Sequence, residues 1–97
     1  MKYNVAIVGA GPGGIFSAYE LVKNGIENII VIEAGNSLDK RNCPAATSGK
    51  CINCATCSIM SGFGGAGAFS DGKYNITNDF GGNLADYIGA EEALKLM

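Results

Sequence analysis

The sequence predicts an α/β fold, and two apolar runs with a helical segment between them carry that prediction. Residues 3–8 and 28–33 each contain an unbroken apolar run of strand length. Such runs are typical of strands that are covered on both faces, as in a parallel sheet. Residues 13–24 place apolar side chains at helical spacing on one face, namely Ile15, Ala18, Tyr19 and Val22. The order strand, helix, strand predicts a βαβ unit within residues 1–35.

Composition and charge exclude several classes of function. The chain has 97 residues, 47% of them apolar, and its 15 glycines are about twice the usual share. The net charge of −2, without a long run of either sign, gives no basis for binding nucleic acid or an anionic membrane. No apolar run approaches the ~18 residues that span a membrane, and the N-terminus lacks a signal-peptide pattern. We therefore expect a cytoplasmic protein, whose cysteines are thiols, metal ligands or redox groups.

A glycine-rich turn separates the first strand from the helix and has the G-x-G-x-x-G spacing of a dinucleotide-binding turn. Gly9 allows the tight turn, Gly11 lets the backbone approach a pyrophosphate, and Gly14 lets the helix pack closely on the strand. The helix N-terminus adds N–H groups and a partial positive charge. We therefore expect the whole turn to hold the pyrophosphate of a dinucleotide: Gly9, Ala10, Gly11, Pro12, Gly13 and Gly14.

An acidic residue stands where a dinucleotide site requires one. Glu33 ends the second strand, 19 residues after Gly14. A carboxylate at this position accepts hydrogen bonds from the ribose hydroxyls and repels a 2′-phosphate, which disfavours NADP. We expect Glu33 and its neighbour Ala34 to contact the cofactor. The alternative is a glycine-rich turn in an unrelated α/β protein, with Glu33 an ordinary exposed acid.

Four cysteines follow in a segment without clear periodicity. Cys43, Cys51, Cys54 and Cys57 have the tight spacing at which thiolates converge on an iron–sulfur cluster or a zinc ion. The last three also form two overlapping C-x-x-C pairs, which can alternate between dithiol and disulfide. A third interpretation is that all four are small buried side chains that line a loop.

Two stretches resemble known flavoproteins. Residues 5–33 resemble the N-terminal fingerprint of flavoproteins with two dinucleotide-binding domains, and Gly-Ala-Gly-Pro-Gly-Gly is similar to the FAD version. Residues 39–75 resemble a group of uncharacterised bacterial FAD-dependent dehydrogenases, through Lys40-Arg41-Asn42-Cys43-Pro44, the cysteines and the glycine-rich run at 62–73. The resemblance implies a Rossmann-like FAD/NAD(P)-binding domain and a flavin-dependent oxidoreductase with FAD as its cofactor.

The same resemblance implies roles for residues beyond the first turn. It places Gly65, Ala66 and Gly67 near the flavin side of the cofactor, and it assigns Arg41 to the AMP portion. The alternative for this second glycine run is a connection that Phe63 and Phe69 pin to the core. Proteins of the group are several times longer, so the resemblance implies that the rest of the FAD domain and a substrate domain are missing from this chain.

These observations predict the N-terminal part of one FAD-binding domain over residues 1–97. The βαβ core occupies 1–35, a Cys/Gly-rich irregular extension 36–75, and a partial helix 76–97. The predicted partners are a dinucleotide cofactor and an unidentified small-molecule substrate. Three alternatives stay open: an NAD-binding dehydrogenase domain, a non-enzymatic iron–sulfur or zinc-binding module, and a truncated gene product without independent activity.

Overall fold

A two-stranded parallel sheet with one connecting helix forms the first part of the chain. The computed structural model describes residues 2–77, 79 and 81–97. Strands β1 (Val5–Val8) and β2 (Ile29–Ile32) pair in parallel, residue by residue along their full length. Helix α1 (Pro12–Lys23) connects them and packs on both. The structure is therefore mixed α/β, and these elements lie close to the ranges that the sequence predicts.

Helix α1 begins and ends for local reasons. Pro12 occupies the first turn, where its missing N–H has no partner inside a helix. After the helix, Gly25 adopts a positive φ of 80°, a conformation that glycine enters without a steric penalty. The inner face of the helix differs from the predicted one in part, because Tyr19 and Val22 are exposed. The half-buried positions are Gly14, Ile15, Ala18 and Leu21.

The sheet is more open than its sequence predicts. Both strands read as covered on two faces, yet the side chains of Val8 and Ile32 are 85% and 49% exposed. The expectation of full burial is wrong for this chain, because α1 packs on the sheet while the two C-terminal helices pack on each other. The buried residues of the described chain are Ala10, Arg41, Gly62 and Ala93.

The remainder is irregular backbone with short helices. The predicted partial helix within 76–97 is two helices in the structure, because Gly89 has a φ of 86° and separates them. Met1, Asn78 and Phe80 lie outside the described residues. No described helix has both the length and the apolar composition needed to cross a bilayer. The elements after β2 are a 3₁₀ helix at Leu38–Lys40, α2 (Ala45–Ser48), a 3₁₀ helix at Ala66–Phe69, α3 (Leu84–Ile88) and α4 (Ala90–Leu96).

Candidate dinucleotide site

The carboxylate of Glu33 joins the end of β2 to the glycine-rich turn. Its Oε2 accepts the backbone N–H of Ala10 at 2.8 Å, and its Oε1 accepts that of Gly35 at 2.8 Å. Gly9 extends the strand pairing by donating its N–H to the carbonyl of Ile32 at 2.7 Å. Gly9 then reverses the chain with a φ of 102°, a conformation that residues other than glycine rarely adopt. The turn is thus fixed to the end of β2 through Gly9 and Ala10.

These contacts keep Glu33 ionised. The N–H groups of Ala10 and then of Gly35 hold the pKa of Glu33 below its ordinary value; burial opposes them to a smaller extent, and the positive charge of Arg41 adds a still smaller lowering effect. Each hydrogen bond favours the charged form of the acid. A carboxylate has about four acceptor positions, so two contacts inside the protein leave capacity for ribose hydroxyls.

The glycines of the turn differ in what surrounds them. A Cβ at Gly14 would overlap the carbonyl oxygen of Gly9 and meet Cγ2 of Ile7 at 3.3 Å, so this glycine allows the close approach of helix and strand. A Cβ at Gly11 would meet its nearest atom, Cα of Gly65, only at 3.9 Å. An added Cβ at Gly11 would therefore be in ordinary van der Waals contact with Gly65, whereas one at Gly13 would meet nothing within 4 Å. The first turn of α1 adds N–H groups that have no acceptor inside the helix.

A second glycine segment, which we define as residues 62–69, returns to this turn. Gly64 donates its N–H to the carbonyl of Ala10 at 2.7 Å. A Cβ at Gly65 would meet Cα of Gly11 and Cδ of Pro12, each at 3.2 Å. Backbones approach this closely only where side chains are absent, so the segment contacts the phosphate turn through its glycines. The resemblance implies that this run lies near the cofactor, which stays a prediction; the structure shows that the run contacts the turn at Ala10, Gly11 and Pro12.

Gly35 and Gly62 form a further backbone contact that the sequence analysis missed. A Cβ at Gly35 would lie 2.6 Å from Cα of Gly62, and one at Gly62 would lie 2.5 Å from Cδ of Arg41. Phe63 completes the junction by donating its N–H to the carbonyl of Asn36 at 3.0 Å. In the sequence, the feature that could have predicted this contact is Gly35, which stands two residues after Glu33.

Arg41 is buried at the centre of this junction and bonds to backbone carbonyls. Its Nη1 donates to the carbonyls of Phe63 and Gly65 at 2.8 and 2.9 Å. Nε donates to Ser58 at 2.8 Å and Nη2 to Ile59 at 2.7 Å. The guanidinium carbon also lies 4.8 Å from the centre of the Phe69 ring, a cation–π distance. These contacts use four of its five N–H donors. One donor remains for AMP, and that contact stays a prediction.

The other predicted cofactor residues lie around this junction. Ala34 follows Glu33 and is exposed. Ala66 and Gly67 are exposed in the 3₁₀ helix of the second glycine segment. Ala10 is buried, and its N–H and carbonyl both bond within the protein, so it braces the turn from inside. Their contacts with a cofactor stay predictions.

The four cysteines surround one small cavity. Cys43, Cys51, Cys54 and Cys57 all line a cavity of about 260 Å³. All four are free thiols, and the last three are exposed while Cys43 is half-buried, so the interpretation of four buried side chains is wrong. Among residues 2–77, 79 and 81–97, no group of three Cys, Asp or Glu side chains is arranged to hold a metal ion. The predicted iron–sulfur or zinc site therefore gains no support from the described residues.

Comparisons with known proteins found a matching family model and a longer relative. A family model described as FAD binding domain matches residues 2–79. A relative from Clostridium beijerinckii, described as an uncharacterized protein, is 41% identical over 75 residues. The alignment covers 75% of this chain and 14% of that relative, so the chain spans a small part of its length. No solved structure matches the chain significantly.

Proposed function

Because the chain belongs to the FAD binding domain family, we propose that the turn Gly9–Gly14 holds the pyrophosphate of FAD and that Glu33 holds its adenosine ribose. The observation that carries the proposal is the pair of hydrogen bonds from Ala10 and Gly35 to the Glu33 carboxylate. They fix the turn and the acid in one rigid unit. In a dinucleotide site the same two features bind adjacent parts of one cofactor.

The residues present fit the ADP half of FAD. The open space beside Gly13 and the N–H groups of the first turn of α1 suit an anionic pyrophosphate. Glu33 stays ionised and retains acceptor positions for two ribose hydroxyls. The strand, helix and parallel strand then serve as a Rossmann-like unit, the first part of an FAD domain.

The second glycine segment extends the site beyond the ADP half. Because Gly64 and Gly65 lie against Ala10, Gly11 and Pro12, the segment stands beside the predicted pyrophosphate position. We place Gly65, Ala66 and Gly67 toward the flavin, where their backbone groups orient it. An NAD site does not require this second run, and for that reason FAD is the better assignment.

The proposed activity is that of a flavin-dependent oxidoreductase in the cytoplasm. The bound flavin supplies hydride or electron transfer, while the protein binds it and orients it. In this chain Glu33 fixes the ribose end, the phosphate turn neutralises the pyrophosphate, and Arg41 holds the second glycine segment in place.

Ligand titration of the full chain tests the proposal. We expect FAD to bind at one site, ADP to compete with it, and NADP to bind much more weakly because its 2′-phosphate meets Glu33. Quenching of flavin fluorescence reports the binding directly. Tighter binding of NAD than of FAD, or a failure of ADP to compete, would overturn the assignment.

The Gly11→Val variant sharpens that test. Its Cβ would lie at ordinary van der Waals distance, 3.9 Å, from Cα of Gly65, so we expect the fold to be retained while the pyrophosphate is excluded. We expect FAD binding to be lost and the circular dichroism spectrum to stay the same. Ala55→Val, which places the same side chain at an exposed position of the cysteine segment, is the control and binds FAD normally. Unchanged FAD affinity of Gly11→Val would contradict the placement of the pyrophosphate.

A further inference from the structure

The cavity lined by the four cysteines has no role in the proposed FAD site. The cysteine segment, defined here as residues 43–57, leaves the junction after Arg41 and returns to it at Ser58. Three of its four thiols are exposed, and no Asp or Glu lines their cavity. Solvent-facing thiols grouped around one concave surface are accessible to a thiol-reactive partner, whereas a structural cysteine is enclosed.

The loop from Cys51 to Cys54 has a defined local geometry. Asn53 adopts a φ of 54°, which turns the chain back toward Cys51. Its backbone N–H then donates to Sγ of Cys51 at 3.4 Å, and its Oδ1 lies 3.7 Å from the same sulfur. The first sulfur of this C-x-x-C pair is thus held by its own loop, with its other side open to solvent. Asparagine is among the few residues that adopt this backbone conformation readily.

The far end of the segment is fixed to the candidate FAD site. The carbonyl of Cys57 accepts the N–H of Ser61 at 2.8 Å, which forms a turn. The next two carbonyls, of Ser58 and Ile59, accept hydrogen bonds from Arg41. Cys57 is therefore anchored, while the loop with Cys51 and Cys54 extends into solvent. Two cysteine sulfurs that must approach each other to form a disulfide, and separate again when it is reduced, are better placed in that loop.

We propose that Cys51 and Cys54 form a dithiol that exchanges electrons with a disulfide-containing partner. The thiolate of Cys51 attacks one sulfur of the partner disulfide, whose S–S bond breaks, and the departing thiolate takes a proton. The thiolate of Cys54 then attacks Sγ of Cys51 and releases the second partner thiol. In sum, two cysteine thiols become one protein disulfide, and one disulfide becomes two thiols. The proposal is independent of the FAD assignment, because no step involves the flavin.

The distribution of the thiols favours this chemistry over a metal centre. A closed zinc site needs four converging ligands, and the described residues offer no group of even three. A C-x-x-C pair needs only two sulfurs, and its short loop brings them together without moving the rest of the fold.

Trypsin separates the cysteines in a way that tests the pairing. Cleavage after Arg41, Lys50 and Lys73 gives one peptide with Cys43 alone, 42–50, and one with the other three cysteines, 51–73. The full chain is oxidised with glutathione disulfide, alkylated and digested. We expect peptide 51–73 to carry one alkyl group and to have lost two hydrogens, with fragmentation linking Cys51 to Cys54. Peptide 42–50 should carry one alkyl group and stay separate.

Variants assign the roles of the two thiols. Cys51→Ser should slow the reaction with glutathione disulfide by about tenfold or more, because the attacking sulfur is lost. Cys54→Ser should stop at the mixed disulfide with glutathione on Cys51. Cys57→Ser is the matched control, because it removes a neighbouring thiol of the same segment and should form the disulfide at the normal rate.

Three results would overturn the proposal. The first is a protein that retains stoichiometric zinc or iron after anaerobic purification, with thiols that do not react. The second is a disulfide that joins peptides 42–50 and 51–73. The third is normal disulfide formation in Cys51→Ser combined with its loss in Cys57→Ser. FAD titration of the same samples tests the FAD assignment separately, because FAD binding does not depend on which cysteines form a disulfide.

Discussion

At the scale of single residues, Ala10 and Glu33 explain why the phosphate turn has a fixed shape. The N–H of Ala10 bonds to Glu33 and its carbonyl bonds to Gly64. Ala10 is almost fully enclosed, with 1% of its surface exposed. One small residue therefore joins three separate parts of the chain: the first turn, the end of β2 and the second glycine segment. A larger side chain would push these parts away from one another.

Replacement of Glu33 by Gln tests the role of its charge. Gln keeps the size of the side chain, but its amide NH₂ faces an N–H donor where a carboxylate oxygen stood. We expect FAD affinity to fall by about tenfold, because the charge-assisted contacts to the turn and the ribose weaken. Glu27→Gln, at an exposed acid before β2, is the control and should match the unmodified chain. Equal FAD affinity in both variants would argue against the ribose contact.

The lowered pKa of Glu33 predicts a dependence of stability on pH. A carboxyl whose pKa is lower in the folded state stabilises the fold above its unfolded value of about 4.3. That contribution disappears as the pH falls through the lowered pKa of the folded state. Urea unfolding of the chain and of Glu33→Gln should therefore differ most near neutral pH and converge at strongly acidic pH. A difference that grows as the pH falls would contradict the assigned hydrogen bonds.

Arg41 is the residue on which the second glycine segment depends. Its substitution by Lys keeps the charge but loses the fork that reaches several carbonyls at once. We expect the free energy of unfolding to fall by about 3 kcal/mol, because buried carbonyls lose charge-assisted hydrogen bonds. Lys40→Ala removes the exposed neighbouring cation and should have little effect. Similar urea midpoints for the two variants would contradict the structural role of Arg41.

At the scale of elements, the site is a contact between two glycine-rich segments. The second segment lies against the first through Gly64 and Gly65, while Arg41 holds it from behind. Helix α1 and strand β2 supply the fixed frame on the other side. In the proposed binding mode, the part of FAD beyond its ADP portion lies along this contact, so we expect changes in the second segment to affect FAD more than ADP.

Gly65→Ala tests that contact, and Gly72→Ala is its matched control. Both glycines have positive φ, 67° and 79°, so an added methyl group strains the backbone similarly at the two positions. Only at Gly65 would the methyl also meet Gly11 and Pro12, at 3.2 Å, whereas nothing lies within 4 Å of one at Gly72. We expect Gly65→Ala to weaken FAD binding by about tenfold with a smaller effect on ADP. Equal losses in the two variants would assign the effect to backbone strain alone.

The sequence predicts the local elements well because their signals are local. Two apolar runs, a helical period and a glycine turn give β1, α1, β2 and the position of Glu33. The contacts of Arg41 could not be predicted, because they join residues 17 to 24 positions apart through backbone carbonyls, which every residue carries. The exposure of Val8 could not be predicted either, because an apolar run shows that other elements can cover a strand but not that they do.

At the scale of the whole molecule, the chain is open. Its radius of gyration of 16.7 Å exceeds the ~13 Å of a compact domain of this size. Among the residues that the structure describes, four are buried: Ala10, Arg41 and Gly62 belong to the junction beneath the candidate site, and Ala93 lies in a C-terminal helix. The most tightly packed part of the structure is therefore the part that would hold the cofactor.

The most direct test of the central claim maps the backbone amides that respond to each ligand. Amide chemical shifts of the full chain are followed during titration with ADP and then with FAD. We predict that ADP perturbs residues 9–14 and 33–35, and that FAD perturbs these and also 62–67. Perturbations confined to other residues, or an ADP response that persists in Gly11→Val, would contradict the account.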